Sequence, residues 1–452
     1  MAKVLISFLG AVNDRRSYWP ANYLFPDGKV ITSSFIAKAL KEYHSIDRLI
    51  LIGTAHSMWE EVYREIGCDG VEDDFCSELF DRCLSSNHTE SHVSAEDVAT
   101  IERKLGKGSK VIIIKYGLND EEIAYNTQAI LGIEKYLNSG DKVYLDITHS
   151  FRSLPIYLMN CLIFLKNVSK KQIDLKSISY GMLDVSKEYP TGKKDAKGNF
   201  CEFYTPVVEL SKLMEVQDWI TGAYNFQEFG NTYKIAKLME AQGEQYRSVI
   251  KPLRKFAEVK NLNYISDFKS QIQGLYPLRQ TGSLPPLGQM VVTPIMRDFL
   301  NEFSKDIRYS TFQYRMAVWH QSHHNYGYAL MLLVEACVTY CCEEMKMDYE
   351  NYDDRKLIQR ALVFTENDKK VSDVINKRNE LTNKFGKELF DRFLSGKNDK
   401  GMKVAFKTQN QNRNTIAHLN ENPKSYKEIL YELKEGLALF KEFLDTKIVS
   451  KF

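Results

Sequence analysis

The chain lacks any apolar run long enough to cross a membrane, for which roughly 18 consecutive residues are needed. The apolar run within residues 1–9 is too short for a signal peptide and predicts a buried strand instead. The eight cysteines contain no CxxC pair, so they indicate neither a redox motif nor a standard zinc site. Together these absences predict a cytoplasmic protein with reduced thiols.

Clusters of possible metal ligands are also poorly spaced. His320, His323 and His324 lie together, but no further ligand follows at a suitable distance, so a polar helix junction is the favoured interpretation. One set near residue 80 could bind zinc in principle, yet its gaps fit no standard pattern. Its members are Cys68, Cys76, Cys83, His88 and His92. We therefore predict no metal and no resident cofactor.

The chain has almost no excess of positive or negative charge. The 61 lysines and arginines almost balance the 59 aspartates and glutamates, which leaves a formal net charge of +2. No global attraction to nucleic acid follows, so any RNA contact must come from a local patch. At 452 residues the chain exceeds the size at which one hydrophobic core keeps growing, so two or more domains are expected.

Apolar runs and helical segments alternate over the first 180 residues. Runs separated by helices and apolar on both faces are typical of a parallel, doubly wound α/β sheet. The predicted strands are residues 4–9, 49–53, 110–115, 142–147 and 175–180. The helices between them include residues 33–43, 119–136 and 154–165.

Later segments change character. A polar segment over residues 191–199, flanked by extended runs, predicts a β-hairpin that closes the first domain. Strand signals end after Leu210, and from Tyr309 onward helix follows helix. We predict an α/β domain over residues 1–205, a helical connector over 206–305 and an all-α domain over 306–452.

Polar residues follow three predicted strands at the point where each ends. The motifs are residues 10–14 (GAVND), 53–59 (GTAHSMW) and 146–153 (DITHSFRS). Ligands of such sheets bind beyond the carboxyl ends of the strands. Because no GxGxxG or GxxxxGK[ST] occurs at these turns, an ordinary dinucleotide or nucleoside triphosphate site is disfavoured.

The second and third motifs, each placed after a strand, resemble those of CARF domains, and the resemblance covers about residues 1–205. It implies a Rossmann-like homodimer that binds a cyclic oligoadenylate, with cyclic tetra-adenylate as the expected ring. Trp59 is left open between a base-stacking and a core role. The predicted ligand-binding residues are Gly10, Asn13, Thr54, His56, Ser57, Trp59, Asp146, Thr148, His149, Ser150 and Arg152.

An arginine is followed after five or six positions by a histidine at three places. Arg82 to His88 lacks helical context, and the residues between Arg315 and His320 are typical of a helix core. Residues 413–418 (RNTIAH) follow the polar run 408–412, which supplies N-cap candidates, so we expect this motif at the start of a helix. Positions five apart point about 140° apart on a helix, so a paired site needs a second copy of the chain.

Residues 309–452 and the RNTIAH motif resemble the HEPN ribonuclease domain. The resemblance implies that Arg413 stabilises the pentacoordinate phosphate, that His418 is the general acid or base, and that Asn414 orients substrate or histidine. The nucleophile is the 2′-hydroxyl of single-stranded RNA, so no metal is needed and DNA should resist.

The two resemblances together imply a cyclic oligoadenylate-activated endoribonuclease of type III CRISPR antiviral defence. Its partners would be single-stranded RNA, the cyclic oligoadenylate and a second copy of the chain, without membrane or DNA; higher assembly stays open. Two alternatives remain. One is a ligand-responsive nucleic-acid-binding regulator without catalysis, and the other is a ring nuclease in which the CARF pocket cleaves its own ligand.

Overall fold

The structure is a computed structural model. It describes residues 1–15, 18–149, 153–280, 282–303, 307–363, 402–418 and 424–445. Ser150 and Arg152 of the predicted ligand site lie outside these residues. The chain forms two compact units, Met1–Glu215 and Val216–Phe452, and each is described by itself. The predicted division into three domains stays a prediction.

An eight-stranded sheet lies at the centre of the first unit, in the order β3-β2-β8-β7-β6-β1-β4-β5. The strands are β1 (Lys3–Phe8), β2 (Ala21–Leu24), β3 (Val30–Ser33), β4 (Arg48–Gly53), β5 (Lys110–Ile113), β6 (Lys142–Asp146), β7 (Asp174–Gly181) and β8 (Tyr204–Glu209). The helices are α1 (Ile36–His44), α2 (Trp59–Val62), α3 (Asp74–Ser85), α4 (Ala95–Leu105), α5 (Asp120–Leu131) and α6 (Leu154–Asn167).

The five strands predicted from the sequence form the parallel part of this sheet. β1 pairs in parallel with both β4 and β6, while β5 and β7 extend the two sides. Successive side chains of a strand point to opposite faces. Leu5 therefore belongs to one core, with α1 and α3, and Val4 and Ile6 belong to another, with α5 and α6. Helices on both faces explain why these strands are apolar throughout.

Three further strands make the sheet mixed. β8 belongs to the hairpin that the sequence predicted, whereas β2 and β3 were not predicted. β2 and β3 form a short hairpin through residues 25–29, where Phe25 N donates to Lys29 O at 2.9 Å and Gly28 takes φ +86°. β2 then pairs in parallel with β8. Each strand of the hairpin spans four residues, which is too short to give a clear periodic signal.

The predicted hairpin after residue 180 is present. β7 and β8 pair antiparallel, with Tyr180 opposite Val208. The segment between these two strands contains a 3-10 helix, Leu183–Glu188, and isolated bridges at Pro190–Phe203 and Lys194–Phe200. This connecting segment follows Gly181, the last residue of β7.

Helices alone build the described part of the second unit. They are α7 (Lys212–Phe229, which starts in the first unit), α8 (Tyr233–Ala241), α9 (Arg247–Leu262), α10 (Ile265–Gly274), α11 (Pro286–Asn301), α12 (Tyr309–Ser322), α13 (Tyr326–Glu344), α14 (Tyr352–Val363), α15 (Met402–Ala417) and α16 (Tyr426–Asp445). α13 is buried along most of its length, and its cysteines 337, 341 and 342 pack in the core as predicted. Within the residues that the structure describes, no helix is both long and apolar enough for a membrane span.

Gly230 ends α7 in a left-handed conformation, with φ +62°. Its N–H donates to Phe226 O at 2.7 Å, and Asn231 N donates to Asn225 O at 3.1 Å, which together close the last turn of the helix. A Cβ at Gly230 would lie 2.1 Å from the ring of Trp319. The rigid indole leaves no room for any larger residue.

We predict that Gly230→Ala lowers the free energy of unfolding by about 2–4 kcal/mol, because it adds a positive-φ penalty to a steric clash. Urea denaturation would measure the loss. Gly282→Ala is the matched control, since Gly282 also has positive φ (+91°) but no atom within 4 Å of its added Cβ. Equal losses in the two variants would contradict the role of Trp319.

Candidate functional site

A cleft of about 430 Å³ opens at the carboxyl ends of the parallel strands. It brings together residues from all three predicted turns and adds an apolar floor from Leu9 and Leu154. The residues that line it are Leu9, Gly10, Ala11, Gly53, Thr54, His56, Ser57, Tyr116, Thr148, His149 and Leu154. Six of the eleven predicted ligand-binding residues are therefore side by side, although their binding role stays a prediction.

The turns after β1 and β4 are joined by backbone hydrogen bonds. Val12 N donates to His56 O at 2.9 Å, and Met58 N donates to Gly10 O at 3.0 Å. The second turn closes on itself, because Thr54 N donates to Ser57 Oγ at 3.0 Å. A Cβ at Gly53 would lie 2.7 Å from that Oγ, so glycine is required there by close approach.

His56 has a defined hydrogen-bonding pattern. Its Nδ1 lies 3.0 Å from Cys83 O, and because a carbonyl oxygen only accepts, Nδ1 carries the proton. Nε2 is then the ring nitrogen left to meet a ligand in the cleft. The anchored ring offers a directed polar contact rather than a freely rotating one.

Asp146 supports the cleft without lining it. The carboxylate is fully buried, accepts from Ser7 Oγ at 2.6 Å and accepts from Thr148 N at 3.0 Å. Burial raises its pKa despite these hydrogen bonds. Thr148 Oγ1 in turn accepts from Gly181 N at 2.8 Å, so the turn after β6 is tied to the end of β7. The predicted contact between Asp146 and ligand stays a prediction, and the structure places the carboxylate beneath the cleft residue Thr148 through this hydrogen bond.

His149 lines the cleft beside this carboxylate. Burial lowers the pKa of its imidazole, and the nearby negative charge of Asp146 opposes that shift. A Cβ at Gly10 would lie 3.8 Å from the ring, so the first turn packs directly on it. The lowered pKa favours the neutral imidazole, which can accept a hydrogen bond.

Two further predicted residues lie outside the cleft wall. Trp59 is completely buried, and its indole N–H donates to Thr54 O at 2.8 Å, so it belongs to the core and is unavailable for stacking on a base. Asn13 is half-buried, and its Oδ1 accepts from Arg15 N at 2.9 Å within its own turn. For both residues ligand contact stays a prediction, and the burial of Trp59 favours the core role that the sequence left open.

Tyr116 is the aromatic side chain that the sequence analysis missed. It follows β5, lines the cleft and hydrogen-bonds with the side chain of Thr54. Burial raises the pKa of Tyr116, and that hydrogen bond opposes the rise. The signal was present, because the end of the predicted strand over residues 110–115 is a fourth strand end on the same edge of the sheet.

The RNTIAH motif lies at the opposite end of its helix from the one predicted. Arg413 lies in the C-terminal half of α15, four residues before its last residue, Ala417, and His418 follows directly after the helix. The polar residues before Arg413 are helical, and two of them are buried: Gln409 donates to Glu432 O of α16 at 2.7 Å, and Asn412 accepts from Lys424 Nζ at 3.3 Å. Tertiary contacts, rather than N-capping, account for that polar run.

Arg413, Asn414 and His418 all reach solvent. One third of the Arg413 side chain is exposed, and its Nη1 lies 4.0 Å from Glu335 Oε1 of α13. Its Nη2 lies 3.5 Å from Asn414 Oδ1. His418 N donates to Asn414 O at 3.0 Å, which continues the helical bonding to the histidine.

The other two Arg–His motifs, Arg82 to His88 and Arg315 to His320, have surroundings unlike those of Arg413 and His418. Arg82 pairs with Glu78 and with Asp97, at 3.2 Å and 3.0 Å, within the first unit. His320 is fully buried between Phe268 and Tyr328, and among the residues that the structure describes neither of its ring nitrogens has a hydrogen-bond partner. The Arg315 motif therefore offers no exposed histidine. In the other motif His88 is exposed, but Arg82 is already paired with two carboxylates.

The histidines and cysteines considered as metal ligands do not form a cluster in the described residues. In the described part of the chain, no three His, Cys, Asp or Glu side chains are grouped as metal ligands. His323 and His324 form the junction between α12 and α13, where His324 takes φ +59° and His323 Nδ1 donates to Trp319 O at 2.6 Å. The junction is polar, as the sequence predicted.

Two protein-family models match the chain. The CARF domain of the CRISPR system endoribonuclease Csx1 matches residues 4–183, and the second domain of the CRISPR-associated protein MJ1674 matches residues 215–311. The N-terminal unit contains a CARF domain. MJ1674 of Methanocaldococcus jannaschii is 31% identical over 365 residues, which are 76% of this chain. The chain spans about half (54%) of the length of that relative.

These matches confirm the prediction of a CARF-containing accessory protein of type III CRISPR systems. A solved structure, Enterococcus italicus Csm6 bound to cyclic hexa-2′-fluoro-hexa-dAMP, covers 98% of this chain and 93% of its own. It is 11% identical with a TM-score of 0.38, which is too low to show a shared fold. The CARF assignment therefore depends on the sequence matches.

His320 makes the stability of the second unit depend on pH. Burial lowers its pKa to about 3, whereas the unfolded chain takes up the proton near pH 6.5. Stability is then lost as pH falls below 6.5, by about 2 kcal/mol between pH 8 and pH 5. Urea unfolding at several pH values would measure this slope. His320→Leu should remove most of it, and an unchanged slope in that variant would contradict the assignment.

Proposed function

We propose that the protein is a cyclic oligoadenylate sensor whose helical unit cleaves single-stranded RNA in CRISPR antiviral defence. The observation that supports it most directly is the gathering of three polar turns into one cleft of a CARF domain. The exposed Arg413 and His418 of the second unit supply a chemistry that such a sensor would control. The HEPN assignment of residues 306–452 is part of this proposal.

The cleft suits the bases and riboses of the ligand. Its described polar side chains are hydroxyls and imidazoles, which hydrogen-bond to such groups, and its floor is apolar. At about 430 Å³ it is too small for a whole ring of several nucleotides. We therefore propose that the clefts of two chains share one ring across a two-fold axis, with Ser150 and Arg152 as predicted contacts outside the described residues.

The proposed reaction uses the RNA's own 2′-hydroxyl. One histidine accepts its proton while the 2′-oxygen bonds to the adjacent phosphorus, and the bond from phosphorus to the 5′-oxygen breaks. The second histidine of the dimer protonates that leaving oxygen. The products are a 2′,3′-cyclic phosphate and a 5′-hydroxyl, and no metal takes part. DNA lacks the nucleophile.

The helix end constrains how the phosphate is held. A helix C-terminus presents carbonyl oxygens rather than N–H groups, so the backbone there repels an anion. Charge on the phosphorane must then be stabilised by side chains, chiefly the guanidinium of Arg413. Asn414, whose carbonyl accepts from His418 N, would orient the histidine.

A second activity has some support in the cleft. His149 has a lowered pKa, which favours its neutral form, and it lies where a ligand 2′-hydroxyl would be held, so it would serve as the base for slow cleavage of the ring. Loss of cyclic tetra-adenylate in the presence of the Arg413→Ala variant would show this ring nuclease activity. It is compatible with the main proposal.

We predict that Arg413→Ala and His418→Ala each lower RNA cleavage at least ~100-fold, because each removes an interaction made in the transition state. Labelled RNA, each cyclic oligoadenylate and EDTA would be used, with ligand binding measured in parallel and expected to persist. Arg297→Ala, an exposed arginine of α11, is the control. Unchanged cleavage in both variants would reject the site. A wild-type protein that binds ligand and RNA without cleavage would favour the non-catalytic regulator.

We also predict that Tyr116→Leu weakens binding of cyclic tetra-adenylate ~10-fold or more, because stacking on an aromatic ring contributes about 1–3 kcal/mol per base. Calorimetric titration would measure it. Tyr116→Phe keeps the ring and should bind nearly as tightly as wild type. Tyr125→Leu, an exposed tyrosine of α5 outside the cleft, is the control. Equal binding by Tyr116→Leu and wild type would remove Tyr116 from the site.

A further inference from the structure

Three helices of the second unit bring charged side chains to Arg413. Glu335 is on α13, Arg355 is on α14 and Arg413 is on α15. The carboxylate lies between the two guanidiniums: its Oε2 accepts from Arg355 Nη2, and its Oε1 lies 4.0 Å from Arg413 Nη1. The two oxygens of Glu335 are thus directed to different arginines.

Arg355 is held more firmly than an ordinary surface arginine. Besides Glu335, its Nη1 donates to Thr339 Oγ1 at 3.1 Å and to Tyr349 O at 3.0 Å. Thr339 is fully buried, and only about a fifth of the Arg355 side chain is exposed. A carboxylate bound to so constrained a cation has little freedom to rotate.

We propose that Glu335 is a positioning residue for Arg413 and that Arg355 immobilises it. The inference depends on the proposed ribonuclease function. At 4.0 Å the contact of Arg413 Nη1 with Glu335 is an ion pair without a hydrogen bond, so the guanidinium is oriented while the N–H groups of Nη1 stay available to a phosphate. Without Glu335, Arg413 would lose the charge that draws its long side chain toward α13.

The same arrangement avoids repelling the RNA. A lone carboxylate next to a phosphate site would oppose substrate binding. Here two guanidiniums accompany one carboxylate, which leaves one net positive charge in the cluster. Arg355 therefore has two roles, because it fixes Glu335 and compensates its charge.

The test compares kcat and KM for ligand-activated RNA cleavage. Glu335→Gln keeps the size of the side chain and removes its charge. We expect kcat to fall ~10- to 100-fold, as for a misplaced catalytic group, with KM and cyclic tetra-adenylate binding nearly unchanged. Glu335→Asp should recover part of the loss. Arg355→Gln should lower kcat similarly, and the double variant should add little, because both act through one contact.

Glu343→Gln is the matched control, since Glu343 is on the same helix and pairs with Arg308 at 3.0 Å, outside the Glu335 cluster. It should change thermal stability at most, with kcat retained. Wild-type kcat in Glu335→Gln would overturn the inference, and so would ligand-independent cleavage, which would mean that Glu335 holds Arg413 back. A wild-type protein that cleaves no RNA would instead overturn the proposed function, and the inference with it.

Discussion

The buried carboxylate of Asp146 is the contact on which the cleft depends. A carboxylate inside a sheet is tolerated only when hydrogen bonds replace water, and Ser7 Oγ and Thr148 N supply them. Through these bonds the ends of β1 and β6 are held together, and Thr148 extends the link to Gly181 of β7. The polar turns are therefore positioned by one fully buried group that does not line the cleft. Such a support is hard to distinguish from a ligand contact when only the motif is known.

Much of the first unit was predictable because both faces of its central strands are buried. Short, continuous apolar runs between helices are compatible with few structures other than buried strands. The observed strands agree with the predicted ones within one or two residues at each end. The β2–β3 hairpin was missed because four-residue strands carry little pattern. Trp59 and Tyr116 show a second limit of sequence-based prediction. Both follow a strand end in the sequence, but Trp59 is buried in the core and Tyr116 lines the cleft, a difference that only the tertiary structure reveals.

The helix of the RNTIAH motif shows how a polar run in the sequence can indicate a helix start where there is none. Amides and hydroxyls before an apolar segment usually signal an N-cap. Here Gln409 and Asn412 are instead buried, and they hydrogen-bond to Glu432 O of α16 and to Lys424 Nζ. A contact between helices cannot be seen in a single sequence, so tertiary structure overrides the local signal. The correction matters chemically, because it replaces backbone N–H groups with carbonyl oxygens next to Arg413.

The two units have hydrophobic cores made of different residues. The cores of the first unit include residues up to Met214, and that of the second begins at Trp219. A crossover by recombination near residue 215 would therefore divide neither core. In evolutionary terms, this boundary is a place where one unit can be exchanged while the interior of the other keeps all its residues.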